Sequence, residues 1–428
     1  MTAEISRRQI AAYGALGFPL AFAALPLYVH VPQLYADSVG LSLGLVGVLL
    51  LLIRFADAVI DPWLGHLSDK LGNKFGNRRR VIALAMPLMS LGLVAVLNPP
   101  QSAGAIWLVV TLMLTFVGYS LAMINYHAWG AELGETPPQR IRITATREGF
   151  SLAGVIVAAA LPSVLAPDAA TALQMLGWLF LPIALVAALL TLVGAPPAQV
   201  FSGAGSLSTP LRAALADPTF GRLLIVLAFA GVASAIPATL VLFFVADVLR
   251  MPEWQGLFLA IYFICGGLAM PAWIALARRR GKVFAWAVSK VLAIATFVWA
   301  FSLSHGDGLA FALICGLSGA ALGAELAIPP ALLADRLATG RRSGAEMGGT
   351  GIYFGVWNFV SKFNLALAAG IALPLVSWAG YRVGAGGAPS PEGLAALALV
   401  YAVLPALIKL ISLGLLLHWK HYFKEDNP

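Results

Sequence analysis

Charge is what this chain has least of. Asp, Glu, Lys and Arg make up 11% of its 428 residues, against roughly a quarter in soluble globular proteins. With 60% hydrophobic residues and a mean hydropathy of +0.88, a fold of this size could not cover itself in water. The surplus apolar surface faces lipid. Cysteine is nearly absent too. Cys265 and Cys315 lie inside apolar stretches and read as small buried hydrophobes, which excludes a disulfide scaffold. HExxH, GxSxG, P-loop and paired zinc-ligand patterns are missing, and none of His30, His66, His127, His305, His418 and His421 makes an i, i+4 pair. An enzyme is therefore not expected, and neither is a cofactor or a structural metal.

What the chain does have is long apolar runs. A spanning helix needs about 20 mostly apolar residues, and twelve candidates are found at 11–32, 42–66, 81–97, 105–129, 147–166, 173–194, 222–248, 254–277, 282–303, 308–334, 351–378 and 393–418. Short breaks such as Asn98-Pro99-Pro100 and Ser304-His305-Gly306-Asp307 separate them. The first run is entered through Arg7 and Arg8 and lacks a clear small-residue cleavage site, so it reads as a retained helix. Of the 27 Lys and Arg residues, 21 fall at the ends or in the even-numbered loops, whereas only Arg250 and Arg382 fall on the opposite side. By the positive-inside rule a multi-pass membrane protein is expected, with both termini cytoplasmic. The net charge of +8 is thus spread over loops beside lipid, which argues against nucleic acid as a partner. The expected partners are the bilayer and a small molecule, with the protein a monomer.

The longest internal break divides the chain into 1–194, a linker at 195–221, and 222–428, six runs on each side. The halves echo each other. Pro62-Trp63-Leu64-Gly65 through Asp69-Lys70-Leu71-Gly72 to Arg78-Arg79-Arg80 is matched by Pro271-Ala272-Trp273 through Arg278-Arg279-Arg280-Gly281-Lys282. Ala128-Trp129-Gly130-Ala131-Glu132 is matched by Ala331-Leu332-Leu333-Ala334-Asp335. The expected fold is an all-α integral membrane protein of twelve transmembrane helices in two pseudo-symmetric six-helix bundles, the architecture of major-facilitator transporters. The Gly65/Asp69 loop with its arginines resembles the loop signature of that superfamily. Its glycines permit close helix approach. Asp69 can cap a neighbouring helix N-terminus, and Arg78 and Arg79 can pair with acids such as Glu132 and, in the second half, Asp335. Such contacts would latch one of two conformations, a gating role.

Ionisable residues inside spans are costly unless paired or wet. Arg54, Asp57 and Asp61 share one face of the second span, with the two acids about 6 Å apart along the axis. Two carboxylates and a guanidinium there point to a cation or proton site. The expected counter-charge is Lys362 in span eleven, beside Tyr353, Trp357 and Ser361 on one row and Phe354 and Asn358 on the next. Asn125 and Trp129 stand at i, i+4 in span four, and Arg147 and Glu148 open span five. Glu325 in span ten is either a structural partner or a second acidic site. Lys290 and Lys409 are expected to snorkel or to pair with it.

Four blocks together, Arg54-x-x-Asp57-x-x-x-Asp61-Pro62, the Gly65/Asp69 loop, Gly130-Ala131-Glu132-Leu133 leading to Arg147-Glu148-x-Phe150, and Tyr353-Phe354-Gly355-x-Trp357-Asn358-x-x-x-Lys362, resemble the glycoside–pentoside–hexuronide:cation symporters of the melibiose-permease group. The resemblance implies Asp57 and Asp61 as cation ligands, Lys362 as their partner and Arg147 as a substrate contact. A solute site of Asn125, Trp129, Arg147, Trp357 and Asn358 follows. Where relatives carry sugar-gripping acids this chain has Ala21 and Asn125. An amide and a span-four hydroxyl that serve Na⁺ in relatives align with Ile60 and Ala122. The expectation is an H⁺- or Na⁺-coupled symporter of a small solute, with H⁺ favoured and the sugar or glycoside class foremost. The alternative cargo on the same fold is a lysophospholipid or similar amphipath.

Overall fold

A computed structural model describes residues 5–31, 34–35, 39–41, 43–166, 169–197, 208–342, 349–379, 381 and 390–423. Arg382 and Lys424 lie outside this set. Among the described residues the chain is helical throughout. Helix α1 is broken, running Arg7–Gly14, Gly17–Leu25 and Pro26–His30. It is followed by α2 (Leu43–Phe75), α3 (Arg78–Leu97), α4 (Ala105–Leu133), α5 (Pro137–Leu165) and α6 (Ala169–Gly194). After a short helix at Ser208–Ala216 come α7 (Pro218–Val248), α8 (Pro252–Arg280), α9 (Lys282–Ser302), α10 (Gly308–Arg342), α11 (Thr350–Trp378) and α12 (Pro391–His418). Each of the twelve expected spans has its helix. Eight of them, α3, α4, α6 to α10 and α12, are long and apolar enough to cross a bilayer. Helices α2, α5 and α11 carry Arg54, Asp57 and Asp61, Arg147 and Glu148, and Lys362.

Local chemistry sets the ends. Asn77 accepts from the Arg80 amide at 3.2 Å and caps α3 directly after Gly76, whose φ of +72° suits glycine. Asp217 accepts from the Thr219 and Phe220 amides and starts α7 at Pro218, a position that needs no N–H. Helix α2, at 33 residues, overshoots what a bilayer requires. Its last turns, with Ser68 and Asp69, therefore stand beyond the apolar run.

The chain forms two compact units. The first comprises Met1–Ala216 with Leu337–Phe359, the second Asp217–Arg336 with Val360–Pro428. In the first, a core of Leu20, Phe22, Met89, Phe116, Tyr126 and Phe180 is fully or almost fully buried. Helices α3 and α4 cross with almost no separation: a Cβ on Gly92 would meet Thr115, and one on Gly118 would stand 2.5 Å from the Met89 amide. The core of the second unit is aromatic. Phe244 stacks on Tyr401 at 4.2 Å, and Phe258 meets Phe311 edge-on at 4.9 Å. The small-residue face Gly319-x-x-x-Gly323 of α10 lies against the α8 backbone at Tyr262 and Gly266, where only small residues allow so close an approach.

Candidate functional site

The loop signature folds into a buried polar network in the first unit. Arg78, at the first position of α3, donates from Nε and Nη2 to Glu132 at 2.8 and 2.6 Å. The same Nη2 donates to Asp69 Oδ1 at 2.9 Å, and Nη1 to Ser68 Oγ at 2.9 Å. Asp69 in turn accepts from the amides of Gly351 and Ile352, 2.8 and 3.1 Å away, so α2 caps the N-terminus of α11. The two backbones can come this close because neither Gly65 nor Gly351 has a side chain. A Cβ on Gly65 would stand 2.5 Å from the Gly351 carbonyl oxygen. Burial pushes the Asp69 carboxyl up to about 6, although Arg78 and the Gly351 amide pull it down. Arg79 takes a different path, donating to the Ala195 carbonyl and lying 5.6 Å from the Trp129 ring centre.

Asn125, a predicted solute contact, is drawn into this network. Its Oδ1 accepts from Ser68 at 2.8 Å and lies 3.4 Å from Arg78, while its Nδ2 donates to Leu121 of its own helix. Trp129 is also sealed, with its indole donating to Pro196 and its ring edge-on to Tyr13 at 5.8 Å. Arg147 is buried and holds Glu148 through Nε and Nη2, at 2.8 and 2.6 Å. Beside it Tyr13 and Tyr126 bond reciprocally to each other's carbonyls and tie α1 to α4. Trp357 and Asn358 follow on α11, Trp357 buried and Asn358 half-buried. Phe354, one turn before Asn358, sits edge-on to His127 at 5.6 Å.

The acidic pair of α2 is buried, Asp57 at 6% exposure and Asp61 at 0%. Arg54, expected on the same buried stripe, is exposed instead. The long guanidinium stem reaches past the edge of the covered face, where a short carboxylate cannot. Pro62 follows within the unbroken helix and removes the amide that would bond Ala58. One expectation needs correcting. The span-four hydroxyl that alignment at Ala122 suggested was missing is supplied two residues earlier, where Ser120 Oγ donates to Asp57 Oδ1 at 3.0 Å. Nothing in the spacing of α4 singled Ser120 out. The signal exists only once α2 and α4 cross.

The second unit repeats the pairing at the corresponding helix ends. Lys282 opens α9 as Arg78 opens α3, and its Nζ holds Asp335 Oδ2 at 2.7 Å, as Arg78 holds Glu132. Arg336 is paired with Asp217, Nε to Oδ2 at 2.9 Å. Deeper in this unit Glu325 meets both Lys290, at 3.2 Å, and Lys409, at 3.5 Å. Lys362 is half-buried on α11. The partners Ser68, Ser120, Asp217 and Lys282 were not among the predicted site residues; only Ser68, next to Asp69, and Lys282, closing the basic repeat, carried any sequence signal.

The chain as a whole is similar to known proteins. A model of the family described as MFS/sugar transport protein matches residues 10–420. The inner membrane symporter YicJ of Escherichia coli is 31% identical over 123 residues, 28% of this chain and 27% of that protein. The putative glycoside/cation symporter YagG of the same organism is 33% identical over 137 residues, 30% and 29% of the two chains. The matched stretches thus span under a third of these relatives. A crystal structure of the E. coli fucose:proton symporter superposes with a TM-score of 0.65 at 17% identity, covering 94% of this chain and 98% of that one. At that identity the likeness establishes the fold, the major-facilitator architecture. With the family match running almost end to end, the chain belongs to the MFS/sugar transport protein family of the major facilitator superfamily, the group that includes the glycoside–pentoside–hexuronide:cation symporters its motifs resemble.

Proposed function

We propose that this protein is a cation-coupled symporter of a small organic solute of the sugar or glycoside class, working by alternating access in the bacterial inner membrane with both termini cytoplasmic. The observation that carries the reading is the pair Asp57 and Asp61, buried one turn apart in a membrane-length helix with the Ser120 hydroxyl on Asp57. Two carboxylates kept from water are costly while charged and far less so once a cation or proton joins them. Loading the pair therefore lowers the cost of passing through a closed, dry state, which couples the cation to the solute. Lys362 and Arg54 are the proposed counter-charges when the pair is empty. H⁺ is favoured over Na⁺: a proton needs one carboxylate oxygen, whereas Na⁺ needs a shell of several, and Ile60 offers none between the two acids. Ser120 restores one such oxygen and narrows the margin.

Arg147, Trp357 and Asn358 are the proposed solute contacts. Asn125 and Trp129, whose polar atoms are already bonded within the first unit, shape that region. The names of YicJ and YagG and the fucose:proton chemistry of the structural neighbour support a sugar-like solute and symport. The latch of Asp69, Arg78 and Glu132, with Lys282 and Asp335 as its second-unit counterpart, would hold one conformation closed. The test is uptake of a labelled glycoside panel into proteoliposomes under a pH or a Na⁺ gradient. Asp61→Asn should abolish gradient-driven accumulation while solute exchange persists. Undiminished accumulation by that variant would remove the acidic pair from the mechanism.

A further inference from the structure

The two units each bury an unbalanced group of charges, and they resolve the imbalance differently. In the first, one cation, Arg78, faces two carboxylates, Asp69 and Glu132. Asp69 is answered as well by the N-terminus of α11, whose Gly351 and Ile352 amides point at it. In the second, one carboxylate faces two ammonium groups. Glu325 Oε1 lies 3.2 Å from Lys290 and 3.5 Å from Lys409, and Oε2 accepts from the Trp286 indole at 2.8 Å. The other acids whose partners are seen in this unit are spent elsewhere: Asp335 on Lys282, Asp217 on Arg336, Asp247 on Tyr381. Among the described residues no helix terminus or further carboxylate answers the second lysine. The group carries one positive charge too many.

The two lysines are not equivalent. Lys290 is fully sealed, has the shorter contact to Glu325, and lies 4.3 Å from the centre of the Trp286 ring, whose face favours a cation. Lys409 retains 13% side-chain exposure and is held only by long contacts, 3.5 Å to Glu325 and 3.4 Å to the Ser234 hydroxyl. An ammonium has three hydrogens to give. Those of Lys409 are poorly used, and a second donor, Ser234, stands beside them. Tyr262, the one hydroxyl-bearing side chain of α8, lies within electrostatic range of Glu325.

We propose that Lys409 and Ser234 form a binding site for a single monoanion, a halide or a carboxylate, which balances the Lys290–Glu325–Lys409 group. The anion supplies the missing negative charge, accepts from Lys409 and Ser234, and leaves the Lys290–Glu325 pair intact. The carboxylate could belong to a free acid or to a transported solute, and the two sources are separable.

The test is thermal unfolding of the full-length purified protein, titrated with chloride, acetate or D-glucuronate against a sulfate background of constant ionic strength. Saturable stabilisation by at least one of the three is expected, weakened at least fivefold in apparent affinity by Ser234→Ala and abolished in Lys409→Met. Preference for glucuronate identifies a solute carboxylate; equal response to chloride and acetate identifies a small free anion. Lys409→Met leaves one cation on one carboxylate, so without anion it should unfold at or above the wild-type midpoint. A Lys409→Met midpoint clearly below wild type, no saturable response in the wild type, or an unchanged response in both variants overturns the proposal. The readout is binding alone, so failed glycoside uptake would sink the proposed transport function and leave this site standing.

Discussion

Arg78 grips Glu132 with two nitrogens, 2.8 and 2.6 Å from the two carboxylate oxygens, and both side chains are sealed from solvent. The fork of a guanidinium matches a carboxylate in this way, and an ammonium does not. Arg78 also reaches Asp69 and Ser68. It is the common partner of α2, α3 and α4.

Removing Arg78 takes a guanidinium away from two buried acids, Asp69 and Glu132. Arg78→Met is expected to cost about 3–5 kcal/mol, and Arg78→Lys to recover little of it. Thermal unfolding of the detergent-purified protein measures both, and a wild-type midpoint for the lysine variant would contradict the fork geometry.

Asp69 makes stability depend on pH with a definite sign. Its carboxyl is raised from 3.8 to about 6 in the fold. In that window the folded state holds a proton that the unfolded chain has released. Stability therefore falls as pH rises from about 4 to 6, by about 3 kcal/mol in all, and levels off above. Asp69→Asn has no such proton. The difference between the wild-type and Asp69→Asn unfolding curves, followed from pH 4 to 7.5, should slope downward, and a flat difference would remove Asp69 as the cause.

Two glycines of the first unit should respond oppositely to alanine. Gly65→Ala forces a Cβ to 2.5 Å from the Gly351 carbonyl oxygen and should cost about 1–3 kcal/mol through backbone displacement. Gly149 lies inside α5 with nothing within 4 Å of its Cβ position, so Gly149→Ala should be neutral or gain up to about 1 kcal/mol. Unfolding midpoints of the two variants decide the matter.

Ser120→Ala removes the hydroxyl that donates to Asp57. The hydroxyl steadies the charged carboxylate, so losing a hydrogen bond of about 1 kcal/mol corresponds to roughly a fivefold fall in the H⁺ concentration for half-maximal uptake, and to a rise if Na⁺ is the coupling ion. The half-maximal solute concentration should move less than twofold. Uptake against pH and against Na⁺ separates the two effects, and an unchanged cation dependence would remove Ser120 from the site.

What the sequence made legible was whatever one helix records by itself. Apolar run length located all twelve long helices, eight of them long and apolar enough to cross a bilayer, and the repeated Gly65/Asp69 and Gly130/Glu132 blocks marked the network that Arg78 organises. The spacing of Asp57 and Asp61 announced a buried acidic pair. What it concealed depends on crossings between helices. Ser120 looks like any small residue of α4 until α2 lies against it. Asn125, read as a solute contact, is claimed by Ser68, which sits on a different helix. Arg54 shares the helical phase of Asp57, but exposure depends on where the neighbouring helix ends. The surplus charge around Glu325 arises from side chains on α9, α10 and α12, distant in the chain, and no local pattern contains it.

The crossing of α2 and α11 at Gly65 and Gly351 sets main chain against main chain, with one side chain, Asp69, beside it. Where side chains interlock, parting and rejoining demand that each one find its rotamer again. Here peptide planes meet, tethered by two amide hydrogens on the Asp69 carboxylate. Such a contact leaves few rotamers to order when the two helices pack, so backbone geometry fixes its register.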